Sequence, residues 1–158
     1  NRLYLLTWRE KTCFICNPDT FEKLGEFRYP TEGWGLTTDG KSLIMSDGSD
    51  KIYFRDPRNF VTTRTLSVTA NGKPVNLLNE LEYINGEIWA NVYTSDFIVI
   101  INPETGNVRA VVDCTDLLPR NLRKPETDVL NGIAYNPADG KIYLTGKYWP
   151  KMYRVTLK

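Results

Sequence analysis

Three observations predict an all-β protein of the β-propeller class. Similar units recur along the chain, with their equivalent points Leu36, Leu81 and Ile133 about 45 to 52 residues apart. Each unit divides into four short runs of strand-forming residues, and an Asn/Asp-Pro turn (Asn17-Pro18, Asp56-Pro57, Asn102-Pro103) precedes the fourth run. Aromatic residues make up 12% of the chain, with 9 Tyr and 4 Trp, a composition that suits strands better than helices. A sandwich or a closed barrel does not explain the recurrence of the Asn/Asp-Pro turn at the same place in each unit.

The elements follow in order. Arg2–Trp8 and Thr12–Cys16 read as strands, Asn17-Pro18-Asp19-Thr20 as a turn and Lys23–Tyr29 as a third strand. The next unit holds Trp34–Thr38, the turn Asp39-Gly40, Ser42–Ser46, Lys51–Arg55, the turn Asp56–Asn59 and Thr62–Val68. Then come Asn79–Ile84, the hairpin signal Asn85-Gly86, Glu87–Tyr93, Phe97–Ile101, the turn Asn102–Gly106 and Val108–Cys114. Gly132–Tyr135, Lys141–Gly146 and Lys151–Leu157 end the sequence; no segment has sustained helical periodicity, although Thr115–Leu122 has room for a single turn.

The units therefore fall at 1–30, 31–76, 77–127 and 128–158, with three, four, four and three strands. The first lacks its inner strand and the last its outer one, about three and a half blades in all. A propeller closes into a ring of typically four to eight blades, so this arc is expected to be the C-terminal part of one propeller domain in a longer protein. An N-terminal strand would complete the last blade. A monodisperse folded monomer of 18.2 kDa would count against that expectation.

Composition excludes several function classes. Twenty basic residues against 19 acidic leave a net charge of +1, no field to gather nucleic acid or an anionic membrane, and the cluster Arg120, Arg123, Lys124 reads as a solvated loop. Histidine is absent, which removes Ser-His-Asp and Cys-His nucleophiles and the usual His-bearing zinc sites. The apolar run Phe97–Ile101 is far too short to span a membrane and reads as a buried strand. Cys13, Cys16 and Cys114 cannot all pair; Cys13-x-x-Cys16 lacks a second ligand pair and reads as small buried hydrophobes.

In a propeller the inner strands line a channel, and chemistry is sought there and on the neighbouring loops. Trp34 stands between Gly33 and Gly35, which permits close approach by a ligand or by another backbone; pocket wall and channel plug are both open. Asn79 and Asn131 hold matching places at the start of their units' inner strands, suited to a ligand carbonyl or to tying blades together. Alternation places Glu80 and Glu82 on the strand face opposite Asn79. Lys147 enters an aromatic, proline-braced loop, Tyr148-Trp149-Pro150, where partial desolvation would let its ammonium orient a carbonyl.

Taken together, Leu3–Trp8, Glu32-Gly33-Trp34-Gly35-Leu36, Leu78–Glu87, Asp128–Ala134 and Thr145–Lys151 closely resemble the plant and bacterial type glutaminyl cyclase (glutamine cyclotransferase) family over the whole chain. The resemblance implies a five-bladed propeller whose channel mouth binds N-terminal glutamine of peptides or proteins and cyclises it to pyroglutamate with release of ammonia, without metal or other cofactor. It implies Trp8 and Trp34 as pocket walls, Asn79 as a hydrogen-bonding group at the reacting amide, Lys147 as the cation, and Asn131 as a further substrate contact. Where the family usually reads Asn-x-Trp this chain has Asn91-Val92-Tyr93, so the third wall, Tyr93, is a smaller ring with a hydroxyl. The family's proton shuttle, a glutamate in a Gly-Glu-Gly segment, would precede Asn1, so the 158 residues alone are expected not to cyclise glutamine; activity in them would turn attention to Glu32, Glu80 or Glu82. Export to a periplasm or secretion is implied as well. A non-catalytic interaction scaffold is the alternative; a lactonase-like enzyme would need more channel acids than the inner strands offer.

Overall fold

The computed structural model describes residues 2–157, so the two terminal residues of the predicted 1–30 and 128–158 units lie outside it. Four antiparallel sheets follow one another along the chain. The first is β1 (Leu3–Leu6), β2 (Thr12–Cys16) and β3 (Lys23–Arg28); the second is β4 (Gly35–Thr38), β5 (Leu43–Ser46), β6 (Lys51–Arg55) and β7 (Thr62–Ser67). A two-stranded hairpin, β8 (Thr69–Ala70) and β9 (Lys73–Pro74), leads to the third sheet of β10 (Leu78–Ile84), β11 (Glu87–Val92), β12 (Phe97–Ile101) and β13 (Val108–Asp113). The fourth sheet holds β14 (Leu130–Asn136), β15 (Lys141–Gly146) and β16 (Tyr153–Val155), after a single 3-10 turn at Arg120–Leu122. Strand order within each sheet equals chain order, as in propeller blades.

The cores lie between sheets. One cluster joins Ile44, Ile52, Phe54 and Leu66 of the second sheet to Leu81, Ile88, Val99 and Ile101 of the third. A second joins Trp89, Ile98 and Ile100 to Leu130, Ile133 and Leu144, and a third joins Cys13 and Tyr29 to Leu43, Met45 and Phe60. The run Phe97–Ile101 is explained by this: Val99 and Ile101 face one neighbouring blade while Ile98 and Ile100 face the other, so both faces of β12 are dry. Inner strand β10 packs between β4 and β14, which brings three blades to one channel wall.

Several expectations are corrected. β1 stops at Leu6 because Thr7 turns back onto Thr12, leaving Trp8 in a loop; β16 is confined to Tyr153–Val155. Trp34 lies just before β4, although its N–H still donates to the Ser46 carbonyl at 3.0 Å. The β8–β9 hairpin was not anticipated: Asn71 and Gly72 both have positive φ, as a two-residue hairpin turn requires, but the flanking runs are too short and polar to read as strands. Cys13 and Cys114 are buried free thiols, each pushed up to about 11 by that burial.

Candidate active site

The pocket is built from two recurring positions of the blade. One is the residue that follows the second strand: Tyr93 after β11 and Lys147 after β15. Each is succeeded by a left-handed, non-glycine residue, Thr94 (φ 64) and Tyr148 (φ 58), where the second blade places Gly48 (φ 85). Such backbone is costly for a side-chain-bearing residue and is held only by its surroundings. Here Tyr93 N–H donates to Leu77 O and Lys147 N–H to Val129 O, anchoring the two turns to the start of their inner strands.

The other position is the start of the inner strand. In β10 the pairing Leu78–Val92 shifts to Leu81–Ala90, and in β14 Leu130–Gly146 shifts to Ile133–Leu144. Each shift is a β-bulge with one extra residue, so Asn79-Glu80 oppose Asn91 and Asn131-Gly132 oppose Thr145. The bulges break the simple alternation assumed from sequence and turn both asparagines toward the channel mouth. β4 carries no bulge; Gly35 instead lets its backbone run against Asn79, where any Cβ would clash with the Asn79 carbonyl. That close approach to another backbone is the use the Gly33-Trp34-Gly35 motif makes of its second glycine.

Trp8, Trp34, Asn79, Tyr93, Asn131 and Lys147 line one cavity of about 310 Å³, with Gly33 at its wall. Trp34 meets Tyr93 edge to face, ring centroids 5.4 Å apart at 78°, and the Lys147 ammonium stands 4.9 Å from the Tyr93 centroid. The indole N–H groups of Trp8 and Trp34 both donate to Glu32 Oε2, at 2.6 and 2.8 Å, and the Arg9 guanidinium lies 4.1 Å over the Trp8 ring. Larger clefts of about 440 Å³ follow the edge of β16 and the face of β13; the first is lined by Asn85, Trp89, Lys141 and Arg154, but neither includes any of the site residues singled out from the sequence.

The enclosure of Lys147 differs from expectation. Its own loop does not bury it: Lys147 and Tyr148 are both exposed, and Trp149 turns away to donate its indole N–H to the Asp128 carbonyl at 2.8 Å. The aromatic partner is Tyr93 of the preceding blade.

Three carboxylates stand on the segments that build this pocket, though none lines the cavity itself. Trp34 and then Trp8, donating to Glu32, hold its carboxyl below the usual glutamate range, so it is an anion at neutral pH. Glu82 accepts from Tyr135 N–H at 2.9 Å and from the Thr37 hydroxyl at 3.2 Å, tying three inner strands together. Glu80 accepts Ile133 N–H at 2.9 Å, yet burial pushes its pKa up to about 8, with the nearby Glu82 adding to the rise. Among the described residues, no group of three or more Cys, Asp or Glu side chains gathers as metal ligands would. Sequence reasoning missed the clamp on the indoles, although Glu32 stands in the same Glu-Gly-Trp-Gly motif as Trp34.

The glutamine cyclotransferase family model matches residues 1–157. The chain belongs to that family. It is 41% identical over 161 residues to a glutaminyl-peptide cyclotransferase of Arabidopsis thaliana, covering 99% of this chain and 50% of that protein. The chain thus spans half the length of the curated relative it matches. The crystal structure of Myxococcus xanthus glutaminyl cyclase superposes with a TM-score of 0.91 at 39% identity, covering 99% of this chain and 68% of that one. The WD40 β-propeller domain of Doa1, at 15% identity and a TM-score of 0.59 over 98% of this chain and 46% of its own, shares the fold alone. The family membership and these superpositions establish the four sheets as propeller blades.

Proposed function

We propose that the full-length protein is a glutaminyl-peptide cyclotransferase, and that the pocket described above holds the N-terminal glutamine of its peptide or protein substrate. The observation that carries this reading is the convergence of Trp34, Asn79 and Lys147, with Trp8, Tyr93 and Asn131, on one cavity of about 310 Å³. A non-catalytic interaction scaffold has no need of that convergence. The kinship with the Arabidopsis and Myxococcus proteins supports the same reading.

The reaction forms a bond from the α-amine nitrogen to the γ-amide carbon and breaks that carbon's bond to the departing nitrogen. The amine must lose a proton, and the departing nitrogen must gain one to leave as ammonia. Trp8, Trp34 and Tyr93 fix the glutamine side chain in the folded geometry that a five-membered closure needs, where orientation can be worth several of the roughly 7–11 kcal/mol available to it. The Asn79 amide and the Lys147 ammonium stabilise the negative charge that develops on the γ-amide oxygen. One carboxyl group serves both proton transfers in turn. Glu32 is held as an anion by two indoles, Glu82 accepts from Tyr135 N–H and the Thr37 hydroxyl, and Glu80 accepts from Ile133 N–H, and none of the three lines the cavity. The shuttle is assigned, as the family resemblance implies, to a glutamate N-terminal to Asn1.

The family resemblance implies export, and on that ground we place the protein in the periplasm or outside the cell. Among the described residues, no helix is long and apolar enough to cross a membrane. The test is ammonia release from a glutaminyl peptide by the full-length protein, with and without a chelator. Turnover that survives the chelator is expected; absence of turnover in a folded preparation would leave the scaffold reading.

A further inference from the structure

Asn91 takes no part in the reading above, yet it stands between the two bulges. It is the residue of β11 that faces the Asn79-Glu80 bulge, and it is completely buried. Its side chain crosses to the next blade, where Oδ1 accepts the N–H of Gly132 at 3.1 Å. Gly132 is the second residue of the other bulge, directly after Asn131. Its φ of +148° and a Thr145 methyl 2.7 Å from where a Cβ would sit reserve this position for glycine.

The acceptor role at Oδ1 fixes which end of the amide is the donor: Nδ2 has no hydrogen-bond partner in the protein, and neither does Nδ2 of Asn131. Asn91 shares its face of β11 with Trp89 and pairs across the sheet with Ile98, both in the apolar cluster between the third and fourth sheets. A buried amide there is a poor choice for packing alone, which an aliphatic side chain of the same volume would serve better. We infer that Asn91 is a positioning residue: its buried amide ties the bulge carrying Asn79 to the bulge carrying Asn131, and so sets the spacing of the two pocket amides across the blade boundary.

Asn91 acts through Asn131, and displacement of a pocket group by a fraction of an ångström to 1 Å can cost up to about a hundredfold in rate. Only the catalytic readout rests on the cyclotransferase reading. Two measurements on the full-length protein separate the inference from that reading. In the wild type, amide hydrogen exchange at Gly132 should be slowed by about a hundredfold or more relative to an open N–H. In Asn91→Leu, or in Asn91→Ala where leucine prevents folding, that protection should fall by about tenfold or more while the melting temperature of the blades is retained. Rapid exchange in the wild type, or unchanged protection in the variants, overturns the inference whether or not the protein releases ammonia.

Where it does release ammonia, a double-mutant cycle adds the second measurement. Asn91→Leu should lower kcat/KM by about tenfold or more, and adding Asn131→Ala should then cost less than about threefold further, because the variants disable one unit. Fully additive losses would show that Asn91 does not act through Asn131.

Discussion

Glu32 Oε2 accepts the indole N–H of Trp34 at 2.8 Å and, with the same oxygen, that of Trp8 at 2.6 Å. A single carboxylate therefore pins two walls that come from different blades. Both contacts are charge-assisted and both indoles are partly open to solvent, so the anion holds the orientation of the rings more than it holds the fold. Glu32→Ala is expected to raise KM by about tenfold while leaving the thermal midpoint nearly unchanged. Tryptophan fluorescence should become more accessible to a soluble quencher in the same variant. A KM equal to the wild type would mean that packing alone sets the indoles.

Trp34 both contacts the cavity and orients what it holds, so Trp34→Ala should raise KM and lower kcat together, with kcat/KM reduced by about 10- to 100-fold. Gly48→Ala offers an independent route to the same defect. Its φ is +85°, and a Cβ there would lie 2.6 Å from the Trp34 ring, so the indole must move. The two variants should share a kinetic signature; a normal KM in both would reduce Trp34 to channel packing.

Tyr93→Trp should be tolerated. Tyr93 already receives the edge of Trp34 and carries Lys147 over its face, and its own side chain is only half buried, so a larger ring has room to extend toward the mouth. Activity is expected within about threefold of wild type. Loss of folding would show that the place of Asn91-Val92-Tyr93 in the pocket leaves no space for an indole.

Glu80 predicts a pH dependence of stability. Its pKa rises from an ordinary 4.5 to about 8 because burial disfavours the charge and Glu82 stands nearby. The folded state therefore binds a proton that the unfolded chain releases. This contribution is fully present below pH 4.5 and is lost as pH rises through 8. Denaturant unfolding between those limits should lose up to about 5 kcal/mol from this group, and Glu80→Gln, whose amide still accepts the Ile133 N–H, should flatten that part of the profile. An unaltered slope in the variant would assign the dependence elsewhere.

The sequence alone was enough for the architecture, because its signals are local. Period-two runs, Asn/Asp-Pro and Asn-Gly turns and a repeat near 50 residues each depend on residues close together in the chain, and they located every blade strand. The motifs around Trp8, Trp34, Asn79, Tyr93, Asn131 and Lys147 likewise singled out the residues that meet at the pocket.

What tertiary structure decided is how those side chains are aimed. The bulges at Asn79-Glu80 and Asn131-Gly132 arise from registers set between strands, and strict alternation along β10 gave no sign of them. Left-handed Thr94 and Tyr148 are conformations that their residue types disfavour; contacts with neighbouring turns hold them, and they carry Tyr93 and Lys147 inward. Glu32 found the Trp8 indole, Lys147 its aromatic ring and Asn91 its acceptor role across blade boundaries, over separations of up to 54 residues for the Tyr93–Lys147 pair. No local pattern encodes such contacts. They exist only because adjacent blades bury their faces against one another and thereby bring distant segments to one channel mouth.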